Sequence, residues 1–254
     1  MLILSLFPGI GLLDMAFEES GFTVVRGPDI LWGGDIHKFT PPPGRFDGII
    51  GGPPCQSFSR LRHLVEANGL KTAENLIPEF ERVVNVAQPT WFLMENVPAA
   101  PAPKIEGYAI SSVTLNNRWF RAEQSRERVF TFGVKGASPI RIEKFLRFEA
   151  LELVEWSPAV CASGGIKPGI SGDSRKRAKN MGWKTAQALK ESIRLQGLPD
   201  DFLSKAPFTL EGKHKVIGNG VPLPLGRAVA SAVKEICRTI ACTATGKSGV
   251  QNCT

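Results

Sequence analysis

The first 135 residues contain short apolar runs that alternate with segments of helical periodicity. Five runs have the length and the residue types of strands, at 2–7, 22–26, 46–50, 90–96 and 128–134. Residues 12–20 and 73–87 instead place apolar side chains on one helical face, with Pro78 marking the start of the second helix. This alternation predicts an α/β fold built on a doubly wound, mainly parallel sheet. Ligands of such sheets bind beyond the carboxyl ends of the strands.

The pattern changes near residue 136. Residues 136–183 are irregular, rich in Gly and Ser, and carry the basic cluster SRKRAKN. Helical periodicity returns afterwards, first in a segment that ends at Gly197 and then in 224–240. We therefore predict a main domain over 1–135, a small lobe over 136–183, a return to the main domain over 184–240 and a frayed tail over 241–254.

Composition narrows the functional classes. The 254 residues are 43% hydrophobic and 22% charged, which is typical of a soluble globular protein. No apolar run approaches the roughly 20 residues that span a bilayer. The five cysteines are scattered without a CxxC pair, which argues against a disulfide framework and a zinc site and favours a reducing cytoplasm. The net charge of +7 suits a partner rich in phosphate.

A glycine-containing turn joins the first strand to the first helix. Gly9 and Gly11 would allow a ligand carboxylate or phosphate to approach the helix N-terminus, although a purely structural turn would use the same residues. Leu12 occupies the place of the third glycine of a dinucleotide fingerprint, which counts against NAD. Asp29 and Asp35 follow the second strand and could bind ribose and adenine, or could be turn aspartates.

The stretch DGIIGGPPCQSFSR places Cys55 directly after the rigid turn that ends the third strand. A cysteine there is either a buried free thiol or a nucleophile. Glu95 ends the buried strand 90–96, on the edge that also holds Cys55. Burial would raise the pKa of this carboxyl and make it a useful acid, whereas a helix-capping role is the plainer alternative.

Two further polar stretches are candidates for ligand contacts. EQSRERVFTFG sets Gln124, Arg126 and Arg128 just before a strand, either as a solvated edge or as an arginine face toward a phosphate or a polar heterocycle. KVIGNGVPLPLG places Asn219 between two glycines ahead of a helix, where a simple turn is the plainer interpretation.

Taken in order, FPGIG, GGPPCQSFS, MENV, QSRERVF, RLQGLPDDF and IGNGVP resemble the motifs of the DNA (cytosine-5) methyltransferase family. The resemblance covers Leu2 to about Gly133 and Thr185 to about Ile240. It implies a Rossmann-like sheet that binds S-adenosyl-L-methionine, and it makes 136–183 a small inserted target-recognition lobe. Double-stranded DNA is then the expected partner, and S-adenosyl-L-homocysteine the expected product.

The resemblance also implies roles for individual residues. The Cys55 thiolate would add to C6 of a flipped-out cytosine, Glu95 would supply a proton at ring N3, Arg128 would hold the ring carbonyl, and Arg126 would hold a loop or a phosphate. The cofactor-binding residues would be Phe7, Gly9, Ile10, Gly11, Asp29, Asp35, Ile36, Pro54, Leu76, Asn219 and Val221. The DNA-binding residues would be Gln56, Ser57, Arg60, Arg62, Gln124, Arg175, Lys176 and Arg177.

The chain departs from the family pattern in several places. The segment between the second and third strands is too short for the helix that the family has there, and the region from Pro98 to Asn117 and the lobe are also short. At single positions, Leu12 replaces a usual glycine, and Gly220 stands where serine is common. These features indicate a compact enzyme of prokaryotic or phage type, acting in the cytoplasm as a monomer or with an accessory partner.

Two other functions remain open at this point. One is methylation of cytosine-5 in RNA, because the tRNA-modifying branch of the family shares the same motifs. The other is a DNA-binding homologue without catalytic activity, against which the joint presence of Cys55, Glu95, Arg126 and Arg128 argues. Protection of DNA against a restriction endonuclease is a further hypothesis.

Overall fold

A computed structural model describes residues 1–54, 74–136, 138–152, 155–162 and 185–244. Within these ranges the strands are β1 (Leu2–Leu6), β2 (Thr23–Arg26), β3 (Gly48–Gly51), β4 (Trp91–Asn96), β5 (Tyr108–Asn116) and β6 (Glu127–Lys135). The α-helices of the same ranges are α1 (Leu12–Glu19), α2 (Ile77–Ala87), α3 (Ala186–Leu195), α4 (Leu210–Asn219) and α5 (Leu223–Ala244). No helix in the described part of the chain has the length and apolarity needed to cross a membrane.

The six strands form one sheet in the order β2-β1-β3-β4-β6-β5. The prediction of a mainly parallel sheet is confirmed, because β2, β1, β3 and β4 pair in parallel. On the other side of the sheet, β6 runs antiparallel to both β4 and β5. The physical reason is the connection: β5 and β6 are joined by a short segment without a crossover helix, so the chain must reverse direction. The amino end of β6 therefore lies at the edge where β3 and β4 end.

Most predicted elements form close to their expected bounds. Pro78 lies in the first turn of α2, and α3 ends just before Gly197, which adopts a left-handed φ of 75°. Between β2 and β3 the chain makes only two short 3₁₀ turns, Ile30–Trp32 and Ile36–Lys38, which confirms that no α-helix fits there. The sequence patterns missed β5 and α4 altogether.

Helices cover both faces of the sheet, and the alternation along β4 shows how the core is divided. Trp91 and Leu93 pack into a cluster that includes residues of α1 and α5. Phe92 and Met94 point the other way, into a cluster that includes residues of α2. All four side chains are buried. Burial on both faces explains the continuous apolar run in the sequence.

The described part of the predicted lobe packs beside the end of the β5–β6 connection. Isolated bridges join Phe120 to Glu149 and Gln124 to Ser157. The bounds proposed for the lobe and for the tail stay predictions. Cys161 and Cys237 are free thiols.

Candidate active site

The turn that leads into Cys55 begins where β3 ends. Gly51 is paired with Met94 of β4, so the next residues, Gly52 to Pro54, pass directly beside the end of β4. Cys55 itself lies outside the described residues, as do the predicted DNA contacts Gln56, Ser57, Arg60 and Arg62.

Glu95 is buried at the end of β4 and forms an ion pair with Arg128. Arg128 Nε lies 2.8 Å from Glu95 Oε1, and both side chains are largely shielded from solvent. The antiparallel register, which opposes Asn96 to Val129, brings Arg128 to this edge. Burial raises the pKa of the Glu95 carboxyl, and the guanidinium groups of Arg128 and Arg126 oppose that increase only in part. The carboxyl thus retains a proton to a higher pH than an exposed glutamate does.

Gly52 provides the space that the Glu95 carboxyl occupies. A Cβ placed on Gly52 would lie 2.9 Å from Glu95 Oε2, which is closer than real Cβ contacts. The absence of a side chain at residue 52 therefore lets the carboxyl lie against the backbone three residues before Cys55. The signal in the sequence is the pair of glycines at the end of β3, Gly51 and Gly52.

Asn96 fixes the same turn by a hydrogen bond. Its Nδ2 donates to the carbonyl oxygen of Pro53 at 3.2 Å, and its Oδ1 accepts from the Val97 N–H at 2.8 Å. The side chain is buried, so neither bond competes freely with water. Sequence reasoning did not assign Asn96 a role. A polar amide at the end of a buried apolar strand is the signal that could have identified it.

Arg126 is buried and donates to three backbone carbonyl oxygens that belong to two separated parts of the chain. It donates to Val160 of the predicted lobe, to Gly218 at 2.7 Å and to Gly220 at 3.3 Å. Of the two roles that the sequence suggested, these contacts support holding a loop. The loop in question contains Asn219, one of the expected cofactor-binding residues.

Gln124 lies in the interior, which does not fit the DNA contact that we expected from its sequence. Its side chain is fully buried, and its Nε2 donates to the Leu195 carbonyl oxygen at 3.0 Å and to Gln196 Oε1 at 3.3 Å. The end of α3 covers it, so Gln124 connects the β5–β6 segment to α3. The other expected DNA contacts, Arg175, Lys176 and Arg177, lie outside the described residues.

The loop between β1 and α1 adopts a left-handed backbone conformation at three of its residues. Phe7, Gly9 and Gly11 have positive φ angles of 56°, 56° and 80°. The Gly9 N–H donates to Asp29 Oδ2 at 2.8 Å, and the Gly9 carbonyl oxygen accepts from Trp32 Nε1 at 2.7 Å. Asp29 thus ties this loop to the end of β2, which sequence reasoning did not foresee.

The remaining residues expected at the cofactor surround this loop. Ile36 is buried in an apolar cluster against which Phe7 and Leu76 also pack. Asp35 precedes Ile36 and accepts from the His37 N–H at 3.0 Å through Oδ1, while its side chain stays partly exposed. Val221 is buried, and Asn219 is exposed at the end of α4.

The buried carboxyl of Asp14, which the sequence analysis did not single out, contacts residues next to the same loop. Asp14 in the first turn of α1 accepts from Ser5 Oγ at 2.5 Å and from Arg26 Nε at 2.9 Å. Arg26 in turn lies across Gly11, where a Cβ would be 3.0 Å from its Nη2. Burial raises the pKa of Asp14, and the contacts with Ser5 and Arg26 oppose this only in part.

Comparison with known proteins places this geometry in a family. The profile of C-5 cytosine-specific DNA methylases matches residues 31–155. The Type II methyltransferase M.NgoPII of Neisseria gonorrhoeae is 32% identical over 92% of this chain and 96% of its own length, and M.HgiDI of Herpetosiphon aurantiacus is 31% identical over 92% and 94%. The first alignment runs over 333 positions, so this relative carries insertions that the 254-residue chain lacks.

Solved structures agree on the fold. S. pombe Dnmt2 methyltransferase superposes with a TM-score of 0.58 over 94% of this chain and 99% of its own, at 17% identity. Entamoeba histolytica methyltransferase EhMeth gives a TM-score of 0.59 at 12% identity, over 94% of this chain and 98% of its own. With relatives above 30% identity along nearly its whole length, the chain belongs to the C-5 cytosine-specific DNA methylase family.

Proposed function

We propose that this protein transfers a methyl group from S-adenosyl-L-methionine to C5 of cytosine in double-stranded DNA. The observation that carries the proposal is the meeting, at one edge of the sheet, of the turn before Cys55 and the buried Glu95–Arg128 pair. The family supplies the reaction class. The contacts of Gly52 and Asn96 explain how this chain holds the groups together.

The reaction needs an activated ring, because C5 of cytosine is a weak nucleophile. In the proposed sequence the Cys55 thiolate forms a bond to C6, and the electron pair that becomes available at C5 takes up the methyl group. Loss of the C5 proton and departure of the thiolate then restore the ring and free Cys55. Bound S-adenosylmethionine supplies the electrophilic methyl group, which it carries on a sulfonium sulfur.

Glu95 and Arg128 would stabilise the ring during this sequence. The raised pKa of Glu95 supports a role as proton donor toward ring N3, because a protonated carboxyl is needed for that bond. Arg128 would donate to the ring carbonyl oxygen from the position where it now pairs with Glu95. A base inside a duplex cannot reach such an enclosed edge, so the target cytosine must leave the stack.

The residues around the first loop fit the proposed cofactor. A Cβ on Gly9 would meet nothing within 4 Å, so there is open space beside the loop backbone. The N-terminus of α1 favours a carboxylate there. The Asp29 and Asp35 carboxylates can accept further bonds beyond those they make, which suits ribose hydroxyls and an adenine amino group. Phe7, Ile10, Ile36, Pro54, Leu76, Asn219 and Val221 would complete the pocket.

DNA would be bound by residues beyond Cys55 and in the lobe. The net charge of +7 supports an anionic partner, and the basic residues of 174–180 are the proposed contacts in the lobe. Since the relatives M.NgoPII and M.HgiDI are Type II methyltransferases, protection of DNA from a restriction endonuclease is the proposed biological role. We place the enzyme in the cytoplasm of a prokaryotic or phage-infected cell, acting as a monomer.

The decisive experiment uses the protein and its Cys55→Ser variant in a host without 5-methylcytosine. Bisulfite sequencing should show protected cytosines in one sequence context with the first and none with the second. The modified DNA should also resist the restriction nuclease that cuts the same context. Unprotected DNA from a soluble, folded protein would contradict the proposal, and transfer of labelled methyl groups to transfer RNA instead would establish the RNA alternative.

A further inference from the structure

At position 220 a side chain has no space, whereas the backbone conformation would accept residues other than glycine. The Gly220 φ of −69° and ψ of 154° are open to any residue. A Cβ at this position would, however, lie 2.5 Å from Leu12 Cδ1 and 3.1 Å from Leu12 Cγ. The Leu12 side chain therefore occupies the volume that any larger residue at 220 would need.

Neither partner can easily move away from this contact. Leu12 is 2% exposed at the start of α1, so its side chain has no route into solvent. The Gly220 carbonyl oxygen accepts from Gln196 Nε2 at 3.1 Å and from Arg126 Nη2 at 3.3 Å. These hydrogen bonds hold the backbone at 220 in place against Leu12.

The contact joins the two parts of the chain that the proposed cofactor would touch. Leu12 directly follows the loop Phe7–Gly11, and Gly220 lies between Asn219 and Val221. We propose that Leu12 is a positioning residue: its side chain, seated on the bare backbone of Gly220, sets the separation of the two walls of the cofactor pocket. This inference rests on the proposed function, because it assigns both walls to S-adenosylmethionine.

Binding of S-adenosylhomocysteine, measured by calorimetry well below the unfolding temperature, tests the proposal. The Gly220→Ala variant should bind at least about tenfold more weakly, because overpacking must push the two walls apart. Leu12→Ala should by itself bind about three- to fivefold more weakly, because the side chain that sets the separation is shortened. Adding Leu12→Ala to Gly220→Ala should restore affinity to that of Leu12→Ala, so that the two losses do not add. Such rescue is expected of a positioning contact and not of two independent sites.

Gly226→Ala is the matched control. A Cβ on Gly226 of α5 would lie 3.1 Å from Cβ of Ala16, one turn along α1 from Leu12. The same Cβ would lie 4.0 Å from Val221 Cγ1, which is an ordinary van der Waals contact. This variant therefore crowds α1 without displacing Val221, so it should lower the melting temperature without changing the affinity.

The possible outcomes distinguish the proposed function of the protein from the positioning role of Leu12. Failure of the unaltered protein to bind S-adenosylhomocysteine would overturn the proposed function and the role of Leu12 with it. Binding by the unaltered protein, with no effect of Gly220→Ala on affinity or with additive losses in the double variant, would overturn the positioning role alone. If Gly220→Ala does not fold, a folded double variant that binds supports the proposal, and one that fails to bind overturns it.

Discussion

Glu95 and Arg128 form an ion pair between β4 and β6, with Arg128 Nε 2.8 Å from Glu95 Oε1. The pair lies where the parallel strands of the sheet end, next to the backbone of Gly52. Because both side chains are shielded from water, removal of one charge leaves the other without its partner. The two residues are therefore expected to act as a unit, and substitutions at either should lower the stability of the fold as well as the rate of catalysis.

Replacement of Glu95 by Gln tests the acid role. The amide keeps the size of the carboxyl beside Gly52 but cannot give up a proton in the same way. Methyl transfer to DNA should fall about 10²–10⁴-fold, the usual contribution of a positioned acid, while affinity for S-adenosylhomocysteine stays the same. The control is Glu127→Gln, an exposed residue at the start of β6. Full activity of Glu95→Gln would remove Glu95 from the mechanism.

Asn96→Asp separates the two hydrogen bonds that Asn96 makes. The carboxylate can still accept from the Val97 N–H, but it has no donor for the Pro53 carbonyl oxygen. We expect a loss of about 10–100-fold in methyl transfer, because the turn before Cys55 is no longer held. Single-turnover rates would measure this, with the exposed Asn85→Asp substitution in α2 as the control. Equal rates for both variants would mean that methyl transfer does not depend on the hydrogen bond from Asn96 to the Pro53 carbonyl oxygen.

The placement of site residues at the ends of strands could be predicted from the sequence. Cys55 and Glu95 were assigned to one edge because apolar runs stop just before them, and parallel strands end together. The partner of Glu95 could not be predicted in the same way, since Arg128 reaches this edge only because β6 runs antiparallel to β4. The direction of β6 depends on the segment that joins it to β5, and the pattern of apolar residues along the strand does not show how that segment turns.

Tertiary contacts account for the other differences. The family resemblance implies a DNA contact for Gln124, yet the end of α3 buries this side chain and provides its hydrogen-bond partners. Leu12 and Gly220 were each noted as departures from the family pattern, and only the structure shows that the two residues touch. Patterns along a chain identify unusual residues, but they do not show which of them meet.

Arg126→Lys should weaken the fold and not only the reaction. Lysine keeps the positive charge but cannot span the carbonyl oxygens of Gly218 and Gly220 and that of Val160 at once. The free energy of unfolding in urea should fall by about 2 kcal/mol or more, the cost of losing hydrogen bonds from a buried charged group. Arg227→Lys is the control, because Arg227 pairs with Glu19 at the surface and should cost less than about 1 kcal/mol. Equal costs would show that the Arg126 contacts do not support the fold.

The buried carboxyl of Asp14 should give the stability a distinct pH dependence. Burial raises its pKa above the ordinary value of 3.8, so the folded protein holds a proton that the unfolded chain releases. The stabilisation from this proton is fully present below the unfolded pKa and is lost as the pH rises through the folded pKa. Asp14→Asn cannot titrate. The free energy of unfolding of the unaltered protein, relative to that of the variant, should therefore fall as the pH rises from about 4.

Urea titrations of both proteins between about pH 4 and pH 8 would measure this difference. Asp200→Asn serves as the control, because an exposed loop residue should change the free energy of unfolding by less than about 0.5 kcal/mol at every pH. The opposite result would be a free energy of unfolding that rises with pH in the unaltered protein relative to Asp14→Asn. It would mean that the hydrogen bond from Ser5 and the guanidinium of Arg26 lower the pKa of Asp14 more than burial raises it. Asp14 would then be ionised beneath the loop, and its charge would hold Arg26 across Gly11.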